Sequence, residues 1–417
     1  MLSNESRKVL LSPRIYCGVW AITLLLTFTT SFLLSTPSHA GELTGFVALD
    51  GRLFASDRQF EHQRLNNGPT LVVEPEYYHV SDDDSHIFTF RPFARLDPYD
   101  GKRRHFDIRQ ADWLYSQDEW EIRAGISKEF WGVIESNHLV DIINQTDSVE
   151  DVDGEDKLGQ PMLQAALLKE WGTLRFYYLP YFRETTFMGV NGRLRGGTPV
   201  ESDKATYDSS AKRWNPDFAI RYEHAIGDWD IGLAHFSGTS REATMLSNVN
   251  SDGANIFTPH YELIDQTSID LQLTKEAWLW KFEALTRSGH GDRFFASSFG
   301  AEYSFYNVKE SGADISFLAE YHRDERDINA PLTFLDDDIF IGSRIALNDV
   351  DDTTFLGGVM FDRNTKTRFY SMEAATRIGN RWKIELDLRI YSHIGDSQAE
   401  SGLTKDDHAQ IRFARYF

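Results

Sequence analysis

The stretch Trp382-Lys383-Ile384-Glu385-Leu386-Asp387-Leu388-Arg389-Ile390 decides the fold. Apolar side chains occupy every second place, and charged ones fill the places between. Period two marks a strand whose two faces meet different surroundings. The charged face needs water, so this strand is not packed on both sides as in a sandwich. A barrel wall with a wet lumen inside and lipid outside meets both demands.

The same alternation recurs outward from there. Leu174, Phe176, Tyr178, Pro180 and Phe182 face away from Arg175, Tyr177 and Arg183. Trp278, Trp280, Phe282 and Ala284 alternate with Lys281 and Glu283, and Ala313, Ile315, Phe317, Ala319 and Tyr321 with Asp314, Ser316 and Glu320. About eighteen such segments, within a range of about 16–18, run along the chain. They begin near Leu43, Thr70, His86, His105, Glu119, Pro161, Thr173, Asp217, Asp228, Thr267, Ala277, Phe294, Gly312, Ile339, Thr353, Thr367, Arg381 and His408. Short turns at 81–85, 116–118, 170–172, 226–228, 275–277, 307–311, 348–352 and 378–380 are interleaved with long polar connections. The long ones lie near 55–69, 127–160, 183–216, 237–266, 322–338 and 392–407. Short periplasmic turns and long external loops are the plan of a one-chain antiparallel transmembrane β-barrel. The expected fold is therefore all-β, one barrel domain over 41–417.

Both chain ends agree. The last strand runs Ile411-Arg412-Phe413-Ala414-Arg415-Tyr416-Phe417, and a terminal aromatic there is the feature that outer-membrane insertion machinery reads. Arg415 shares the apolar face of that strand, where a further aromatic is expected. At the start, Arg7, Lys8 and Arg14 precede an apolar run from Ile15 to Leu34, then Pro37-Ser38-His39-Ala40. This reads as a signal peptide over 1–40, cleaved after Ala40. The single cysteine, Cys17, lies within it, so the mature chain has no thiol for a disulfide or a Cys-ligated metal.

The chain carries 43 Lys+Arg against 64 Asp+Glu, a net charge of −21. An exported chain this acidic is not built to bind nucleic acid. Aromatics still make up 13% of it, a share that a barrel with a lipid-facing outside can accommodate. Outer-membrane lipid and lipopolysaccharide are the expected surroundings.

Ile122-Arg123-Ala124-Gly125-Ile126 leads to Phe130-Trp131-Gly132 and on through Asp141-Ile142-Ile143-Asn144-Gln145-Thr146-Asp147. This R-x-G, W-G, D-x-x-N-x-x-D series resembles a broad group of proteobacterial outer-membrane barrels. That group is similar in architecture to the alginate-export type of eighteen-stranded porin. The chain departs from its pattern at Asn144-Gln145, where the group favours N-P. The resemblance implies a porin-like barrel and leaves the solute open. The apolar Ile134, Leu139, Val140, Ile142 and Ile143 suggest two arrangements for 127–160: a constriction folded into the lumen, or an external loop closing over the rim.

With the apolar face in lipid, the candidate pore-lining residues are Arg91, Arg95, Arg109, Arg123, Arg175, Arg221, Glu121 and Glu223. Arg109 fits least, because its strand then places Gln110 and Asp112 on the lipid side. Such charges either set solute selectivity or brace the wall. Glu150-Asp151-Val152-Asp153-Gly154-Glu155-Asp156 looks like part of a calcium loop, but Val149 stands where a first ligand is needed. It is read as a solvated acidic loop, and no metal, cofactor or catalytic residue is assigned. The histidines show no H-E-x-x-H spacing, and G-x-S-x-G is absent. The expected function is therefore not enzymatic. It is a channel for passage or export of a small hydrophilic solute, charged solutes included, with selectivity set by the lumen charges and the 127–160 loop. The alternative is a structural or adhesive barrel with a plugged lumen and acidic external loops.

Overall fold

A computed structural model describes residues 41–63, 67–394 and 402–417. The signal peptide expected over 1–40 lies outside the described residues. Among those described, no helix is long and apolar enough to cross a membrane.

Eighteen strands form the wall. The first nine are β1 (Glu42–Phe54), β2 (Asn67–Val80), β3 (His86–Leu96), β4 (His105–Gln117), β5 (Trp120–Ser127), β6 (Gln160–Lys169), β7 (Gly172–Leu179), β9 (Asp217–Ile226) and β10 (Trp229–Thr239). The other nine are β13 (Leu263–Lys275), β14 (Trp278–Gly289), β15 (Gly291–Phe305), β16 (Asp314–Asp324), β17 (Asp337–Ala346), β18 (Thr354–Asp362), β19 (Arg368–Ile378), β20 (Trp382–Ser392) and β21 (His408–Tyr416). Each pairs antiparallel with the next, and β21 returns to β1 in a register from Phe46↔Tyr416 to Phe54↔His408. The wall is therefore closed and has no edge strand. Three short strands, β8 (Thr206–Tyr207), β11 (Thr244–Val249) and β12 (Asn255–Tyr261), form a separate small sheet in the external connections.

All eighteen expected segments are wall strands. The loop alternation is less regular than expected. At the long-loop end, β3–β4 is joined by 97–104, β18–β19 by 363–367, and β14–β15 by His290 alone.

The wall's two faces divide as the period predicts. Outward, Phe176, Phe218, Phe299, Phe317, Ile341 and Ile411 are exposed, while Arg221, Glu283, Glu320 and Gln410 on the inner face are buried. An apolar band that circles the molecule is a surface for lipid. Near the short-turn end it carries Trp120, Trp171, Trp229, Trp278 and Trp382, the interfacial girdle of such barrels. Arg415 is accommodated there because its guanidinium lies 5.8 Å from the Trp382 ring, itself stacked on Phe413 at 4.6 Å. Charge on the outer face is thus shared with an aromatic at the headgroup level.

One strand corrects the simple alternation. Arg91 pairs with Gln110 but Pro92 pairs with Ile108, so Arg109 is the extra residue of a β-bulge. Pro92 has no N–H to give the ladder, which suits this position. The bulge shifts the phase of β4. Arg109 and Asp112 are both buried on the inner face, and the lipid-side placement of Gln110 and Asp112 is overturned.

Gly125 sits opposite Asp112, at φ 136°. A Cβ there would stand 2.2 Å from the Ala111 carbonyl oxygen. The glycine of the R-x-G series is therefore required by backbone approach. Gly125→Val should cost at least about 2 kcal/mol in denaturant unfolding of the refolded barrel. Gly51→Ala, where nothing lies within 4 Å, should be near neutral. Equal effects from both would contradict this account.

Candidate functional site

The connection between β5 and β6, residues 128–159, folds into the lumen, and the rim-closing arrangement is excluded. Its apolar residues Trp131, Val140, Ile142 and Ile143 form one buried cluster with Met162, Tyr177, Leu179, Ala219, Ala234, Phe236 and Ile264 of the inner wall. Small wall residues, Ala219 and Ala234, leave room for them. Each large apolar side chain withdrawn from water contributes about 1.5–3 kcal/mol. Apolar burial therefore drives the insertion, and polar contacts fix its pose.

The D-x-x-N-x-x-D residues fold the loop. Asn144 donates to the Ser127 and Leu158 carbonyls at 2.9 Å and accepts the Glu129 N–H at 2.8 Å, closing the loop's base. Asp141 accepts the Trp131 N–H at 3.3 Å and pairs with Lys157 at 3.2 Å. Asp147 accepts from Arg109 at 2.6 Å and from the Thr186 hydroxyl at 2.7 Å. The glycine of W-G has its own reason: a Cβ on Gly132 would stand 2.6 Å from Glu283 Oε1.

Two wall carboxylates seat the loop's tip by reading its backbone. Glu283 on β14 accepts N–H bonds from Val133 at 2.5 Å, Ile134 at 2.9 Å and Val140 at 3.2 Å. Glu320 on β16 accepts from the Glu135 and Ser136 N–H groups, both at 2.9 Å. Glu135 reaches further, to Arg344 on β17 at 2.6 Å. The other arm fastens to the opposite wall. Glu150 pairs with Arg95 at 2.8 Å, and Asp153 with Arg389 at 3.1 Å. The loop thus spans the lumen from β3 and β20 across to β14 and β16.

The expected pore-lining residues separate into two groups. Arg95, Arg109 and Arg221 are 1%, 2% and 5% exposed. Arg95 also holds Asp50 at 2.8 Å, and Arg221 grips Asp270 at 2.8 and 2.9 Å. These three brace the wall and, for Arg95 and Arg109, anchor the loop. Arg91, Arg123 and Arg175 keep 38%, 24% and 27% of their side chains exposed. Their carboxylate neighbours are Glu74, Asp112 and Glu223. Glu121 is half-buried and accepts the Ser116 hydroxyl at 2.9 Å. Arg91, Arg95 and Arg123 each have their own carboxylate.

Glu150 and Asp151 are buried, so this part of the acidic run is not solvated. Atoms of His105, Asp147 and Glu150 lie within 4.8 Å of one another, close enough to share an ion. Arg95 and Arg109 already occupy both carboxylates, so the donor set does not suit a cation. Arg52 and Arg103, direct partners of the loop, and Asp50, which accepts from the loop's anchor Arg95, were not among the expected site residues. Arg52 donates to the Glu150 carbonyl and Arg103 to that of Val149. The Asp50–Arg52 alternation on β1 was the available signal.

No protein-family model matches the chain, and no curated sequence matches it. Among solved structures it is similar to Wzi of Escherichia coli, described as an outer-membrane protein involved in group 1 capsule assembly and a carbohydrate-binding β-barrel. Identity is 8%, over 96% of this chain and 88% of that one, with a TM-score of 0.51. OccK8 (OprE) of Pseudomonas aeruginosa shares 10% identity over 91% and 98%, TM-score 0.49. A mutant of the Rh. blastica porin shares 11% over 90% and 99%, TM-score 0.42. At these identities the likeness is one of fold. With its apolar girdle and closed ladder, the protein is a bacterial outer-membrane β-barrel.

Proton uptake is built into the seated loop. Burial, with the negative charge of Asp151, pushes Asp153 up to about 7. Burial, with the charge of Glu150, pushes Asp156 up to about 6. Burial also raises Asp141. Burial opposes charge on His138, but the Glu155 hydrogen bond lifts it overall. Asp147 and Glu150 move the other way: burial opposes their ionisation, yet His105 and Arg95 respectively hold them low. A seated loop therefore binds more protons than a free one between the ordinary carboxylate value of 3.8 and about 7. Seating should strengthen as pH falls through that window and weaken as pH rises. Below it, protonation of Asp147 and Glu150 should release the loop. Amide-exchange protection at Val133, Ile134 and Val140, corrected for intrinsic rates, should drop from pH 5 to pH 8. Asp153→Asn with Asp156→Asn should flatten that drop, and an unchanged drop in the double variant would count against this assignment.

Proposed function

We propose that the protein is an outer-membrane channel for a hydrophilic solute, narrowed by the inserted 128–159 loop. The observation that carries this reading is the loop's attachment to opposite walls. Glu283 and Glu320 hold one end of the crossing, and Arg95 and Arg389 the other. Arg91, Arg123 and Arg175 remain partly exposed on the inner face, joined by Arg344 and Lys383. Half-exposed charge on a lumen face implies water there. In a pore walled by low dielectric such charges act on passing ions with little screening. The fold and the R-x-G, W-G series support a porin-like family reading, and the solute is inferred to be hydrophilic from these side chains alone.

Catalysis is not part of the proposal. Ser136 Oγ lies 2.9 Å from His322 Nε2, a contact of the kind a nucleophile uses. But Ser298 meets the other ring nitrogen at 2.9 Å, where a carboxylate would orient a base. The Ser136 hydroxyl also donates to Glu320 at 2.6 Å. This contact fastens the loop.

Planar-bilayer conductance tests the channel. Replacing 131–143 by a short Gly-Ser linker should raise conductance severalfold, and Glu283→Ala should raise it partway. Neutralising Arg91, Arg123 and Arg175 together should shift ion selectivity toward cations. Arg95→Ala should instead cost about 3–5 kcal/mol of stability, through the orphaned Glu150. No conductance in either the wild type or the linker variant would sink the channel reading and favour a plugged structural barrel.

We further propose that Phe417 is the contact for the insertion machinery. Its ring is exposed and its N–H bonds the Gly45 carbonyl at 3.1 Å, at the closing seam. Deleting Phe417 should lower the assembled, heat-modifiable fraction in cells while leaving refolding in detergent intact. Equal loss in both settings would make its role structural.

A further inference from the structure

His290 makes up the whole β14–β15 connection, between Gly289 and Gly291 at φ 112° and 74°. Two left-handed glycines let the chain reverse there with one residue. That residue is 1% exposed. Neither ring nitrogen has a hydrogen-bond partner among protein groups. Burying an imidazole with both nitrogens idle is costly unless something else meets them.

The group facing it is Glu262, in the 240–262 connection. Its Oε2 stands 3.8 Å from His290 Nε2 and is likewise buried without a partner. The Thr244 hydroxyl lies beside the same carboxylate. A separation of 3.8 Å is too long for a hydrogen bond. It is within reach of two ligands on one ion, whose bonds to nitrogen and oxygen are about 2.0–2.2 Å each. Local charge also permits a cation. The two nearby guanidiniums are already matched: Arg287 by Glu242 at 2.6 Å and Arg326 by Asp324 at 2.7 Å. Glu262 is left over.

We propose that His290 and Glu262 bind a divalent transition-metal cation, with water completing its shell. One imidazole nitrogen and one carboxylate oxygen are ligand types that suit zinc. The ion ties the 240–262 connection to the β14–β15 hairpin at the long-loop end. It lies apart from the His105–Asp147–Glu150 group, whose carboxylates are taken by arginines.

The test uses full-length barrel in detergent, stripped with chelator and then given Zn²⁺. About one equivalent should survive gel filtration. The unfolding temperature should rise saturably by at least about 2 °C. The double variant His290→Asn, Glu262→Gln should lose both effects. Co²⁺ on the wild type should give the intense visible absorption of a four-coordinate nitrogen-containing site, an arm independent of whether the variant folds. Absence of retained zinc and of the cobalt spectrum would overturn the proposal and leave a water or a plain His–Glu pair. Zinc retention and a temperature rise unchanged in a folded double variant would also overturn it, placing the ion on other carboxylates.

Discussion

A backbone N–H inside this protein must find an acceptor within the protein, and that constraint organises both the wall and its contents. In the wall, the closed ladder with its β21–β1 seam meets it strand by strand. In the lumen, an irregular segment has no ladder to join. The loop is admitted there because Glu283 and Glu320 supply acceptors for five of its N–H groups. Each unmade bond of this kind would cost about 1–3 kcal/mol, comparable to the burial of one apolar side chain. The two terms therefore have to be satisfied together, and the tip carries both.

The charges follow the same logic. A buried guanidinium such as Arg95 gains little net stability from its carboxylates, because desolvation offsets the attraction. Its value lies in what it excludes. With Glu150, Asp50 and Thr70 all on Arg95, one pose of the loop's near arm satisfies every polar group, and a displaced arm orphans several at once. The apolar cluster around Trp131 gives the drive, and the arginines give the address.

The barrel was legible in the sequence because period two survives any detail of register. Trp382–Ile390 declares its two faces with no knowledge of its neighbours. The Arg109 bulge was not legible, because one inserted residue reverses the phase while leaving composition untouched. Only the mismatch at Gln110 and Asp112 hinted at it, with Pro92 on the partner strand. The loop's inward turn was half legible. Its apolar residues demanded burial, but whether a wall or a rim received them depended on Ala219 and Ala234, far along the chain. The division of arginines into braces and water-facing groups was not legible at all. Arg91 and Arg95 stand on one face of one strand, and only the carboxylate opposite each tells them apart.

At residues 133, 134 and 140 the seat is made through main-chain N–H groups, all bonded to Glu283. Those bonds are indifferent to which side chain stands there, provided none is proline, while the burial of Ile134 and Val140 still calls for apolar residues at those two places. Side chains on the tip's remaining surface can be exchanged without unseating it. A family built on this plan could retune what its narrowest point admits by changing a few loop residues, while the walls and the fastening stay as they are.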